Sequence, residues 1–143
     1  MPYKYLEDVA IADVAFEAWG ETAEAMFVAA ADATMNVMVG DLRAIVKRTR
    51  RPVRIESDAL DLLLFNLLQE LIYYKDAEQL LLRVEAVRLE RDRSPLLLTA
   101  ELAGEALDRD RHELVTDVKA VTLHRFSVAE AERGWEAFVI LDI

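Results

Sequence analysis

Ser57 to Tyr74 reads SDALDLLLFNLLQELIYY. Leu60, Leu64, Leu67, Leu71 and Tyr74 recur at steps of four, three, four and three, which is one face of a 3.6-residue helix. Leu63 and Leu68 widen that stripe, so the helix should be well buried. Ser57 is placed to cap it, and Asp58 and Asp61 lie where the helix dipole favours anions. A second helix is expected over Thr22 to Val39. There Met26, Ala30, Ala33 and Val37 share a face, Thr22 can cap the start and Gly40 can end it.

The remaining periodic segments alternate with period two and read as strands. They are Asp13 to Ala18, Ile45 to Thr49, Leu82 to Glu90, Leu96 to Glu105, Val118 to Arg125 and Trp135 to Leu141. The alternation in Leu82 to Glu90 slips near Ala86 and Val87, which predicts a bulge. Arg91 to Pro95 and Arg133-Gly134 read as turns. The order is strand, helix, strand, helix, then four strands. It parses as two strand-helix-strand-strand units, one inserted in the other, with the inner unit at about residues 43–106. The expected class is α+β: one domain over residues 1–143, two helices packed on a mainly antiparallel sheet. In that parse the first and last strands belong to one unit and should lie close together.

The chain has 143 residues, a size that buries roughly 70% of its unfolded surface. It is 54% hydrophobic and 31% charged, so it should fold. A formal charge of −10 argues against sequence-blind adhesion to nucleic-acid backbones. The absence of cysteine removes disulfides, thiolate zinc sites and cysteine nucleophiles. His112 and His124 are the two histidines, too few for a three-histidine metal site. There is no Walker A loop, no Gly-rich dinucleotide turn and no Gly-x-Ser-x-Gly setting. Met1 to Asp13 lacks a signal-peptide core, and no apolar run reaches the roughly 20 residues of a membrane span. The expected location is the cytoplasm.

Three groups of residues carry candidate chemistry. Asp13 interrupts the apolar run Ile11 to Val14, and Asp142 stands beside Ile143 and its terminal carboxylate. If the end strands are neighbours, these three oxyanions converge. They would then need a cation, and oxygen ligation suits Ca²⁺, Mg²⁺ or Mn²⁺. The plain alternative is a frayed terminus and a solvated strand residue. Lys119, Thr122 and His124 form a polar set in an apolar strand, with Thr122 and His124 expected on one face. His124 suits a proton carrier or a structural hydrogen-bonder. His112 is expected in a loop. Arg43, Lys47, Arg48, Arg50, Arg51 and Arg54 form a basic stretch that fits either contact with RNA or an acidic partner, or an edge strand guarded by positive charge.

Three blocks together resemble a known family. They are Tyr5-Leu6-Glu7 with Asp13 to Gly20; Leu62 to Leu71 with Tyr74-Lys75-Asp76; and Gly104 to Asp108, His112-Glu113 and Val118 to His124, closed by Gly134-Trp135 and Leu141-Asp142-Ile143. In order and spacing they resemble the archease family over essentially the whole chain. The resemblance implies the nested strand-helix-strand-strand fold. It also implies an accessory protein of RtcB-type RNA ligases in tRNA splicing or RNA repair, which promotes guanylylation of the ligase and multiple turnover. A divalent ion is implied on Asp13, Asp142 and the Ile143 carboxylate. The family's His-Thr-Ala-Asp-Ile-Gly motif stands here as Ala10 to Ala15, so Ala10 replaces the histidine and Ala15 the glycine. Lys119, His124 and Asp76 are candidates for facing a partner. Two rival functions remain open at this point. One is a stand-alone metal-dependent hydrolase with Lys119 or His124 as acid–base group; the other is a small-ligand-binding domain.

Overall fold

The computed structural model describes residues 2–7 and 13–143. In chain order the elements are β1 (Tyr3–Leu6), β2 (Asp13–Gly20), α1 (Ala23–Met38), β3 (Thr49–Ser57), α2 (Leu60–Glu78), β4 (Leu80–Glu90), β5 (Leu96–Ala106), β6 (Ala120–Ala131) and β7 (Gly134–Asp142). The class is α+β, as the periodicities require. The strands form two sheets, one in the order β1-β2-β7-β6 and one in the order β3-β5-β4. Every pairing between these strands is antiparallel.

The helices touch both sheets. α1 packs on β2 and β7 of the larger sheet and on β4 of the smaller; α2 packs on β6 and on β3, β4 and β5. The composition of α1 explains this. Met26, Phe27, Ala29, Ala30, Ala31, Ala33, Met35 and Met38 are buried around most of the helix circumference, leaving a narrow outer stripe of Ala25, Val28, Asp32 and Asn36 that is exposed or half-buried. Its alanines let two sheets approach it at once. α2 keeps a one-sided stripe, with Leu63, Leu64, Leu67, Leu68 and Leu71 fully enclosed.

Several boundaries differ from those the periodicity predicts. The stretch expected as a strand at Ile45 to Thr49 precedes the actual strand Thr49–Ser57, which contains Pro52. Proline is tolerated there because β3 is the edge of its sheet. Ser57 ends β3 opposite Leu96, so it does not cap α2; Ala59 holds that position with no side-chain hydrogen bond. Thr22 does cap α1, accepting from the Ala25 N–H at 3.0 Å. The bulge in β4 falls between Val84 and Ala86. β1 was not anticipated as a strand; it pairs along β2, with Tyr3 opposite Ala18.

Two buried polar clusters tie loops to the core. Glu105, 4% exposed, accepts from the Val46 N–H at 2.8 Å and from His112 Nε2 at 2.9 Å, and pairs with Arg48 and Arg111. The Asp108 N–H donates to His112 Nδ1, which assigns the ring proton to Nε2. Burial alone would push the Glu105 carboxyl up; hydrogen bonds from Val46, His112 and Arg111 outweigh it and hold it at about 2. In the second cluster Lys75, 7% exposed, donates to Asp117, to Asp76 and to the Val118 carbonyl.

Candidate metal centre

β7 lies between β2 and β6, and this brings the two ends of the chain together. Along the β2–β7 ladder Asp13 stands directly opposite Asp142, and Val14 opposite Leu141. Residues opposed in an antiparallel ladder share a face, with Cβ atoms about 4.5–5.5 Å apart. Phe16, Val139 and Leu141 are on the face turned to the helices and are fully buried. Asp13 and Asp142 therefore lie on the other face, both half-buried. Two carboxylates at that spacing repel unless a cation or proton lies between them. Among the described residues neither forms an ion pair. Ile143 follows directly and is also half-buried.

On its other side Asp142 is opposite Ala120 of β6, and its carbonyl accepts from the Lys119 N–H at 2.8 Å. Thr122, next on the same face, carries a buried hydroxyl oxygen with no hydrogen-bond partner among the described residues. The donor set on this face is thus oxygen only, the chemistry of a hard divalent ion. Among the described residues no three His, Asp or Glu side chains gather at metal-binding spacing.

The other candidate residues distribute differently. Lys119 is exposed and contributes its main chain to this end. His124 is exposed and lies outside the ladder, because the β6–β7 register breaks between Thr122 and Ser127, with Arg125 at φ 57°. The shared face expected for Thr122 and His124 is lost in that irregular stretch. Asp76 is exposed, with its carboxylate 2.7 Å from Lys75 Nζ. Ala10, where the N-terminal motif departs from the family pattern, lies outside the described residues.

The basic stretch is neutralised. Arg43 pairs with Asp41, Lys47 and Arg50 with Glu85, Arg48 with Glu105, Arg51 with Glu78 and Arg54 with Glu56. Its second half, Arg50, Arg51 and Arg54, runs along edge strand β3, where charge guards an open edge.

Sequence reasoning missed two participants. His112 does lie in a loop, but it is buried against Glu105. Lys75 is enclosed although its neighbours Tyr74, Asp76 and Ala77 are polar or small. A lysine on the apolar side of a helix, at i+4 from Leu71, was the available signal.

Known proteins resemble this chain throughout. The family model described as the archease protein family matches residues 3–143. A Pyrococcus abyssi protein archease is 34% identical over 133 residues, covering 92% of this chain and 93% of its own. A Methanosarcina barkeri protein archease is 32% identical over 142 residues, covering 99% and 95%. The solution structure of Methanobacterium thermoautotrophicum protein 1598 superposes with a TM-score of 0.85 at 31% identity, covering 99% of both chains. The crystal structure of an archease, possible chaperone, from Thermotoga maritima shares the fold at a TM-score of 0.59 and 17% identity. Matched from β1 to the end of β7 by family model, by curated relatives and by a solved structure, the chain belongs to the archease family.

Proposed function

We propose that this protein is an accessory factor of an RtcB-type RNA ligase, promoting guanylylation of the ligase in tRNA splicing or RNA repair. In this reading Asp13, Asp142 and the Ile143 carboxylate hold a divalent ion, Ca²⁺, Mg²⁺ or Mn²⁺. The observation that supports it is the direct opposition of Asp13 and Asp142, two half-buried carboxylates with no counter-charge among the described residues.

Such an ion supplies positive charge that can neutralise phosphate oxygens during nucleotidyl transfer. The chain's own part is to position its oxygen ligands. β2 brings Asp13, β7 brings Asp142, and the ladder between them sets their separation. The net charge of −10 suits docking to a basic, RNA-binding enzyme and disfavours competition for the RNA itself. The setting would be cytoplasmic. Among the described residues no helix is long and apolar enough to cross a membrane.

The hydrolase reading draws no support from the geometry. Among the described residues the side chains of Lys119 and His124 make no hydrogen bond that would orient a proton transfer.

The test is guanylylation of a purified RtcB-type ligase with and without this protein, alongside Asp13→Asn and Asp142→Asn. The expected result is faster guanylylation with the wild type and loss of that gain in both variants. Calorimetric titration should show the same variants losing Ca²⁺ or Mn²⁺ binding. No acceleration at any ratio of the two proteins refutes the accessory role. Ion binding unchanged in the variants removes the aspartates from the site.

A further inference from the structure

We infer that Lys75 is a positioning residue for the end of β7, acting through the single peptide group that joins Val118 to Lys119. The inference rests on the reading of Asp13 and Asp142 as ion ligands.

Lys75 lies in the last turn of α2, where the helix dipole favours a cation. An ammonium enclosed to 7% exposure is costly unless all three of its protons are used. Here they are. Asp117 and Asp76 take charge-assisted bonds, and the Val118 carbonyl accepts at 2.9 Å. Burial pulls the Lys75 pKa down, but the bonds to Asp117 and Asp76 outweigh it, and the group stays cationic.

The Val118 carbonyl and the Lys119 N–H belong to one planar unit. The oxygen of that unit faces the Lys75 ammonium. Its N–H donates to the Asp142 carbonyl at 2.8 Å. A cation on the carbonyl oxygen polarises the peptide and strengthens its N–H as a donor. The Asp142 carbonyl in turn belongs to the peptide group leading to Ile143. Among the described residues, the last main-chain hydrogen bond before the Ile143 carboxylate is therefore made by a peptide whose plane Lys75 sets.

A second contact from the same helix supports the arrangement. Gln69 Oε1 accepts from the Val121 N–H at 3.0 Å. α2 thus holds the start of β6 at Val118 and at Val121, on either side of Ala120, the residue opposite Asp142. Asp142 is gripped from one side by β2 and from the other by a strand start that α2 has fixed. Ligation at 2.3–2.6 Å tolerates little displacement of a carboxylate, so groups behind the ligands control affinity.

The experiment compares the full chain with Lys75→Met, Gln69→Ala and a control, Arg83→Met. The control breaks the half-buried pair of Arg83 with Asp32, which links β4 to α1 and does not touch β6 or β7. Two readouts are used: calorimetric titration with Mn²⁺, and amide hydrogen exchange at Lys119 without metal. Lys75→Met should weaken Mn²⁺ binding about tenfold and accelerate Lys119 exchange beyond the change at other β6 amides. Gln69→Ala should do both to a smaller degree. Arg83→Met should do neither.

If the wild type binds no Mn²⁺, the reading of the ion site fails, while Lys119 exchange still tests the tether. If Lys75→Met keeps both Lys119 protection and wild-type affinity, the inference is overturned. It is also overturned if Lys75→Met and Arg83→Met lose affinity alike. If Lys75→Met does not fold, Asp117→Asn replaces it under the same criteria, because it removes one of the two carboxylates holding the ammonium.

Discussion

Replacing Glu105 by Gln tests whether the buried carboxylate near the end of β5 holds the Asp108 to Glu113 loop onto the body of the fold. Glu105 is 4% exposed and receives four donors: the Val46 N–H, His112 Nε2 and the guanidinium groups of Arg48 and Arg111. The amide oxygen can take the place of Oε2 and keep accepting from Val46 and His112. The substitution points an NH₂ at groups that are themselves donors, and it removes the charge that faces the two arginines. Breaking one side of a buried ion pair costs about 3–5 kcal/mol. Arg48 and Arg111 have 69% and 42% of their side chains exposed, so both regain water when released. That relief brings the expected loss to about 2–3 kcal/mol. With a urea m-value of about 1.5 kcal/mol/M, the unfolding midpoint should fall by roughly 1.3–2 M at neutral pH.

The pH dependence provides the sign. Glu105 is held at about 2 in the folded chain, below its ordinary value near 4.3. As pH falls the unfolded chain takes up this proton first. The stabilisation is complete above about pH 4.5 and is lost progressively towards pH 2. Wild type should lose stability steeply over that interval, and Glu105→Gln should show a flatter curve there. A midpoint shift below about 0.3 M at pH 7, or parallel pH curves for the two proteins, would show that the cluster does not hold the loop.

Appending one residue after Ile143 converts its carboxylate to an amide, and calorimetry should show at least about tenfold weaker Ca²⁺ or Mn²⁺ binding; equal affinity removes the terminus from the site. Leu67→Ala empties a fully enclosed position in the middle of α2 and should lower stability by about 2–5 kcal/mol in urea unfolding. Gly134 sits at φ 105° in the β6–β7 turn, where an added Cβ would lie 2.4 Å from the Gly20 carbonyl oxygen. Gly134→Ala should therefore cost about 1–3 kcal/mol, read as a lowered thermal midpoint.

The helices were legible because their signal is local. The spacing of Leu60, Leu64, Leu67 and Leu71 and the cap at Thr22 are written within a few residues of where they act. β3 was misread because its membership is decided elsewhere. Thr49 to Ser57 carries arginines and a proline that argue against a strand, yet it pairs residue by residue from Gly104 to Leu96 along β5. That long ladder overrides local preference. Ser57 illustrates the same conflict, since its cap signature loses to a strand position. The opposition of Asp13 and Asp142 followed from the order of elements, because a nested pair of units brings first and last strands together. The Lys75 contact to Val118 spans 43 positions and has no periodic trace, so only the tertiary structure reveals it.

The position of β7 explains how the last residues of a chain can serve as a fixed point. Terminal residues ordinarily fray, because their backbone groups are solvated and few contacts hold them. Here the final strand is an interior member of its sheet, with β2 on one side and β6 on the other. Asp142 therefore has a partner residue on each flank, Asp13 and Ala120, and its carbonyl is tied to Lys119. Had β7 been added at an edge, one flank would be open and the carboxylates at this end would sample many separations. Insertion of the β3-to-β5 segment between the end strands is what makes the interior position available. The two halves of the four-stranded sheet are contributed by distant parts of the chain, and the pairing that closes it is the one that opposes the two aspartates.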